Sequence, residues 1–534
     1  MKTNLSFIRR SWITFFNRNV KVLVILILAV MLVLEITSAY QESQVIDESP
    51  HIMAGYSYLN EFNIEMNKEH PPLLKMMSAL PLQFMNINYP WSDSTNLDQW
   101  DDSRTFLYTI GNPADQMLFW GRLPLMLLSL LLGFFVFYWA SKLTNNFGGL
   151  LALILYAFDP NILTHSRYIT TDMGVTCFMF ISCFYFYKFF ITQSIKDLLL
   201  LSSAITLALL SKFSAAFLAP VMLVFLFFKK IKFKNYLLLI IVPLAFISVG
   251  ISLVYFFEPM KYYEGFKMLY EHNIGGHSTY LMGELSKVGW WYYFPIAFFV
   301  KTPAITLILL IISLLIFGLN FLKIFKNKQI KENFKNNKEY IRNGLYLLVL
   351  PVSYFIYMIS GNINLGVRHL MPMYPFLFVF IAFVLMKYIE KIKQSNKKNI
   401  VNNFLVILAV IIIVNTMIVF PNFLSHFSWF IGGTNNGGYF LLDSNLDWGQ
   451  GVKKLAKYLE ENNINETIKL DYFGQSVPAY YNINYEPYHG ETRTGFIVVS
   501  KQLIYGDEDN VYGWLKEIKP TAEIGKSMFV YDLR

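Results

Sequence analysis

The sequence predicts an all-α polytopic membrane bundle of about eleven spans, followed by a small C-terminal α/β domain. Three observations predict it. Of the 534 residues, 55% are hydrophobic and only 15% are charged, whereas soluble chains carry about a quarter charged residues. Apolar runs of roughly the 20 residues needed to cross a bilayer recur from Val20 almost to Phe420. After Pro421 that pattern stops, and a helix-like stretch alternates with short strand-like runs. The expected organisation is a transmembrane domain over 1–420, with a first outer loop over 40–115, and an extracytoplasmic domain over 421–534.

Charge asymmetry orients the spans. Lys2, Arg9, Arg10, Arg18 and Lys21 precede or open the first apolar run and place the N-terminus in the cytoplasm. That run, Val20 to Ala39, is too long for a signal peptide and lacks a small-residue cleavage site, so it reads as a retained span. Tyr40 to Asp115 is rich in Asp and Glu and poor in Lys and Arg, which puts it outside. Spans follow at about Trp120–Ser141, Gly148–Leu163 and Met173–Phe190. Between Lys196 and Lys229 the chain must enter and return, turning near Ser211-Lys212-Phe213. Such short paired helices bring their turn to a depth tolerated only beside a protein-lined cavity. Five more spans, at about Tyr236–Phe257, Trp291–Phe317, Gly344–Ser360, Leu370–Tyr388 and Ile400–Phe420, complete an odd count and leave the C-terminus outside. The net charge of +9 sits in short basic loops such as Lys387 to Lys398, which excludes nucleic acid as the partner. Cys177 and Cys183 share one apolar run, so no disulfide framework is expected.

Several groups of residues carry candidate chemistry. Asp47 and Glu48 stand where the first outer loop meets the membrane; a carboxylate there suits a general base, although acids in a watery loop are otherwise simply solvated. Ser49 and Pro50 read as the N-cap and first residue of a helix whose Ile52, Met53, Tyr56 and Leu59 face would lie on the membrane surface. In Glu69-His70-Pro71-Pro72 the prolines stiffen the backbone beside two ionisable residues, or simply lead into an amphipathic helix. Arg167 and Asp172 fit a phosphate ligand and its orienting acid, or a mutual Arg–Asp pair. Lys212, Lys301, Arg368 and His369 sit at outer span ends against the positive-inside trend, which favours anion binding for the set and interfacial anchoring for any one alone. Glu271, His272 and His277 match no metal-ligand spacing, and no metal site is expected. In the tail, Asp447 would cap a helix reaching about Glu461, with strands at Thr467–Phe473, Gly495–Ser500 and Met528–Tyr531.

Together, Ile46-Asp47-Glu48-Ser49-Pro50-His51 and Glu69-His70-Pro71-Pro72-Leu73-Leu74-Lys75 resemble the first outer loop of the GT-C membrane glycosyltransferases. The nearest resemblance is to family 39, the dolichyl-phosphate-mannose protein mannosyltransferases, and to their bacterial relatives. Ser166-Arg167-Tyr168-Ile169-Thr170-Thr171-Asp172 is similar to that family's second outer loop, and Leu209 to Phe213 and Val367 to Pro375 to its later signatures. Gly283, Trp291 to Pro295, Lys301-Thr302-Pro303 and Asp443-Ser444-Asn445-Leu446-Asp447-Trp448-Gly449-Gln450 resemble bacterial members.

The resemblance implies a GT-C fold and inverting transfer of a sugar from a polyprenyl (undecaprenyl or dolichyl) monophosphate carrier to an acceptor hydroxyl on the outer face. Asp47 would take the acceptor proton, with Glu48 beside it. Glu48, His51, Glu69 and His70 would shape the sugar and acceptor sites. Arg167, Lys212, Arg368 or His369 would stabilise the leaving phosphate, with Asp172 and Lys301 among the substrate-binding residues. No cofactor is implied, since the sugar arrives activated, and a divalent cation is not indicated. The partners implied are the lipid-linked donor, membrane lipids and a protein, lipid or glycan acceptor. The place is a bacterial inner or plasma membrane. The chain lacks the large inserted domain of the eukaryotic enzymes, which weakens the case for a protein acceptor. The competing class is a lipid-linked sugar flippase or transporter. Transporters favour internal repeats and mid-membrane sites, whereas here no repeat stands out and ionisable residues gather at the outer boundary.

Overall fold

The computed structural model describes residues 19–93, 95–226, 232–326, 330–392 and 394–534. Lys2, Arg9, Arg10, Arg18 and Lys229, which carried part of the orientation argument, lie outside the described residues. Among the described residues, eight helices are long and apolar enough to cross a membrane: Val20–Tyr40, Ala114–Leu143, Asp172–Thr192, Phe233–Val254, Ala304–Lys323, Asn337–Ile359, Val367–Glu390 and Lys397–Val419. The other three expected crossings are shorter helices, Asn146–Ala157, Ile195–Ser211 and Leu218–Leu226. The chain is an integral membrane protein with a mostly helical bundle.

Two helices form the centre of the bundle. The apolar windows of Val367–Glu390 and Asp172–Thr192 are 94% and 78% buried, against 6% for Phe233–Val254 at the rim. A helix buried on every side must be apolar all round, and the run from Phe376 to Met386 carries no polar side chain at all. The expected single span Trp291–Phe317 is instead broken. Tyr293–Lys301 ends at Thr302, which is extended (φ −75°, ψ 132°), because the residue before Pro303 is barred from the helical region; Ala304–Lys326 then restarts the helix.

The first long loop contributes Glu48–Glu61, Leu73–Ala79 and Asp101–Tyr108. The first of these starts two residues earlier than expected, with Asp47 rather than Ser49 at the N-cap position; Pro50 stays within the first turn, where its missing N–H costs nothing. Nor does this helix lie on a surface, for both its apolar and its polar residues from Glu48 to Gly55 are buried. Gly55 explains the seat: a Cβ there would come 2.0 Å from the Lys75 carbonyl oxygen, so only glycine lets Leu73–Ala79 press against it.

The loop after Phe233–Val254 forms a helix, Met260–Gly275, and a hairpin of β1 (Thr279–Leu281) and β2 (Glu284–Ser286). Its two-residue turn places Met282 and Gly283 at φ 52° and 93°, the positive values that tight hairpins demand.

Past residue 450, helix Val452–Glu461 packs on a five-stranded mixed sheet of β3 (Ile468–Asp471), β4 (Tyr485–Pro487), β5 (Gly495–Ser500), β6 (Ala522–Ile524) and β7 (Met528–Leu533), in the order β4-β3-β5-β7-β6. β3 runs parallel to both β4 and β5, while β7 is antiparallel to β5 and β6. The period of two is visible in β5, whose Phe496 and Val498 join Val452 and Leu455 of the helix while Ile497 and Val499 face Ile504 and Leu515. Asp447 does not cap this helix, which begins after Gly451. The Asp447 carboxylate is buried and accepts the Gly449 N–H instead.

Candidate functional site

Four charged side chains form an alternating row where the first loop meets the bundle. Asp47 comes from the N-cap of Glu48–Glu61, Asp172 opens the central helix Asp172–Thr192, Lys212 ends Ile195–Ser211, and Arg368 lies in the 3-10 turn Val367–Met373. Arg368 Nη1 is 2.8 Å from Asp47 Oδ2 and 3.7 Å from Asp172 Oδ2; Lys212 Nζ donates to Asp172 Oδ1 at 2.7 Å. Along the row the side chains are 25% (Asp47), 11% (Arg368), 2% (Asp172) and 9% (Lys212) exposed. The Asp47 end is therefore the more open.

Unpartnered polar atoms surround this row. Asp172 Oδ2, His70 Nδ1, His165 Nδ1 and His369 Nε2 are buried without a hydrogen-bond partner, and these imidazoles are close enough to feel the Asp172 charge. Buried polar atoms are ordinarily satisfied, so a group of unpaired ones marks a place where a polar ligand is received. Burial, reinforced by Lys212, holds the His70 imidazole well below its usual range, and burial with Lys75 beside it brings His51 down to about 4. Both rings are thus neutral at pH 7. His51 Nδ1 donates to the Ile169 carbonyl at 2.7 Å, and its ring centre lies 6.2 Å from that of His70.

A second set of charges in the same layer is paired away from the row. Glu48 takes Arg122 on both oxygens (2.7 and 2.6 Å) and also accepts the Val45 and Ile169 N–H groups. Arg167 pairs with Glu42 at 2.7 Å, donates to the Leu163 and Thr164 carbonyls, and stacks on Tyr168. Burial opposes a charged Glu42, yet Arg167, Lys454 and Arg122 hold its carboxyl below the usual range. Lys301 Nζ donates to three carbonyls, those of Leu424, His426 and Asn445, at 2.6–2.7 Å. It ties the tail to the bundle.

The tail supplies a wall of the site. Residues Leu441 to Gln450 are buried except for Asp443. Ser43 N–H and Ile46 N–H donate to the Gln450 and Trp448 carbonyls, so this segment runs alongside the approach to Asp47. Asn445 Oδ1 accepts the Val367 N–H, while Asn445 Nδ2 donates to the Tyr293 hydroxyl, which also receives the Gly366 N–H. These bonds fix the turn bearing Arg368, whose guanidinium lies 4.3 Å from the centre of the Trp448 ring. Burial raises the carboxyl of Asp443, and it pushes that of Asp447 up to about 7.

The structure therefore brings Asp47, Asp172, Lys212, Arg368, His51, His70 and His369 to one place. It does not bring Arg167 or Lys301 to the row: three carbonyls hold Lys301, and Arg167 pairs with Glu42 rather than Asp172. Glu48 is buried behind the row on Arg122. Glu69 makes no hydrogen bond or ion pair among the described residues; its neighbour Lys75 donates to the Asn67 and His70 carbonyls. Sequence reasoning passed over Glu42, Arg122 and the contact role of Trp448. Arg122 was findable, since an arginine inside the apolar run of Ala114–Leu143 is as conspicuous as Lys212. Among the described residues, no group of three or more His, Cys, Asp or Glu is placed to hold a metal ion.

No curated protein matches the sequence. Among solved structures, ArnT from Cupriavidus metallidurans bound to undecaprenyl phosphate is similar with a TM-score of 0.48 and 11% identity, over 95% of this chain and 97% of that one. The apo Archaeoglobus fulgidus oligosaccharyltransferase is similar at 0.48 and 11%, over 91% of this chain and 62% of that one. The S. cerevisiae protein O-mannosyltransferase Pmt1-Pmt2 complex bound to the sugar donor reaches 0.31 and 21%, over 47% and 34%. Residues 111–255, which hold Arg122, Arg167, Asp172 and Lys212, match the family model described as dolichyl-phosphate-mannose-protein mannosyltransferase. Over that segment the chain is similar to the dolichyl-phosphate-mannose-protein mannosyltransferase family.

Proposed function

We propose that this enzyme transfers a sugar, with inversion, from a polyprenyl monophosphate carrier to an acceptor hydroxyl at the outer face of a bacterial inner or plasma membrane. One observation carries the reading: the partly exposed acid of the row, Asp47, is held by a cation, Arg368, that sits beside the buried Asp172–Lys212 pair. The family matched over 111–255 is named for a dolichyl-phosphate donor, which supports a monophosphate carrier. The acidic loop over 40–115 and the basic loops opposite support an outward-facing site with the N-terminus in the cytoplasm. Residues 1–420 act as the transmembrane catalytic domain; the extracytoplasmic domain over 421–534 reaches the site through Leu441 to Gln450.

Asp47 accepts the proton of the acceptor hydroxyl as that oxygen bonds to the anomeric carbon. The bond from that carbon to the phosphate oxygen breaks, and its electron pair leaves with the polyprenyl phosphate. The leaving group gains negative charge, which the Arg368 and Lys212 cations stabilise. His51 and His70 are neutral polar groups for the sugar and phosphate, and His369 offers its unpartnered Nε2 beside them. Glu48 acts indirectly, since its four bonds hold the Val45–Asp47 turn and the Ile169 loop together. The acceptor is a protein, lipid or glycan hydroxyl.

The test is Asp47→Asn in purified, lipid-reconstituted enzyme supplied with labelled polyprenyl phosphate sugars and a membrane extract as acceptor. Loss of a general base lowers turnover on the order of 100- to 10,000-fold, with donor binding retained. Turnover within a few-fold of wild type would remove Asp47 from the chemistry.

A further inference from the structure

Resting on that reading, we infer that Arg368 is handed from Asp47 to the donor phosphate, so that the base is released only when the donor is in place. A carboxylate is the stronger base when both oxygens are free, and here Asp47 Oδ1 has no hydrogen bond among the described residues while Oδ2 is engaged by Arg368 Nη1 at 2.8 Å. Three features of Arg368 suit it to let go. Its second bond in the row is weak, with Asp172 Oδ2 beyond hydrogen-bond reach at 3.7 Å. Its Nη2 donates to no group among the described residues, while Nε makes only a long bond of 3.3 Å to the Leu365 carbonyl. And its guanidinium lies over the Trp448 ring at 4.3 Å, a contact with the ring face that survives sliding in the plane.

An arriving phosphate engages the free Nη2 first and then draws Nη1 across, because a guanidinium prefers one bidentate anion to two single contacts. At no point is the cation left unpaired. Asp172 cannot move likewise, since Lys212 holds its other oxygen at 2.7 Å and the carboxylate is almost wholly buried. The fixed Asp172–Lys212 pair and the mobile Asp47–Arg368 pair thus divide the work. In the absence of donor, Oδ2 of Asp47 is held by Arg368, and the handover frees that oxygen.

The inference makes Asp47 a competitor of the donor phosphate for Arg368. Removing its charge should therefore tighten binding of a short-chain polyprenyl monophosphate, by roughly three- to tenfold, even as transfer is lost. The experiment is equilibrium binding of that lipid to nanodisc-embedded wild type, Asp47→Asn, Arg368→Gln and the double variant, with Asp47→Ser in reserve should the Asn form misfold. In the Arg368→Gln background the Asp47→Asn change should no longer tighten binding, which ties the effect to the handover. Unchanged or weaker binding by both Asp47 variants, with transfer still lost, overturns the handover and leaves the base assignment standing. Normal transfer by Asp47→Asn overturns the base assignment instead.

Discussion

Two ion pairs begin at adjacent residues and have opposite characters. Glu48 and Arg122 are 0% and 2% exposed, and every lone pair of the carboxylate has a donor. Asp47 and Arg368 are 25% and 11% exposed, with a free guanidinium edge and a partner shared with Asp172. Type of residue does not separate the two pairs, nor does position, since Asp47 and Glu48 are neighbours. Saturation does. A closed pair holds loops together at a net cost or gain near zero, whereas an open one still has bonds to offer a ligand.

The largest effect should come from opening the closed pair. Glu48→Gln leaves the Arg122 charge buried and half-bonded, and breaking such a pair costs about 3–5 kcal/mol. The variant should unfold at a markedly lower temperature and accumulate poorly, while the fraction that folds turns over within a few-fold of wild type. A Glu48→Gln enzyme with unchanged thermal stability but turnover reduced a hundredfold would erase the distinction between the pairs.

That distinction explains which parts of the site could be read from the sequence. The bundle was legible because apolar length and basic loops are local signals, and the central position of Val367–Glu390 follows from a run without polar residues. The prolines told where Tyr293–Lys301 must stop only once a helix was known to be interrupted there, because a Pro inside a span is otherwise tolerated. Asp47, Asp172, Lys212 and Arg368 were legible as ionisable residues at span ends. What no spacing revealed was the partner of each: Arg167 and Lys301 looked identical to Lys212 until Glu42 and the carbonyls of Leu424, His426 and Asn445 were seen to consume them. Those partners lie 123 to 144 residues away for Lys301, and only the fold supplies them. The wall from Leu441 to Gln450 was noticed as a motif, but its contact with Arg368 depends on the same long-range closure.

His51 tests the boundary between the two sets, since its Nδ1 is committed to Ile169 while its ring faces the open site. Burial brings its pKa from 6.5 to about 4. A depressed histidine is neutral in the folded protein, so the unfolded chain binds more protons between those values, and stability is full above 6.5 and lost as pH falls toward 4. At pH 5 this single group accounts for about 2 kcal/mol. Thermal midpoints measured from pH 7 to 5 should fall more steeply for wild type than for His51→Gln. Parallel curves would mean that the ring is charged in the folded protein and belongs with the open set.

The smallest effect concerns the surface on which Arg368 rides. Trp448 is buried and makes no claim on the guanidinium's hydrogen bonds, so it should tune the open pair without closing it. A desolvated cation–π contact is worth about 2 kcal/mol with tryptophan and less with phenylalanine. Trp448→Leu should raise the donor KM about tenfold, and Trp448→Phe should recover most of that. Neither should change kcat more than about twofold, because the Arg368 charge is still present. A drop in kcat with an unchanged KM would instead mean that the indole fixes Arg368 against the leaving group during the reaction. The open pair would then be as rigid as the closed one, and the two would differ only in what they touch.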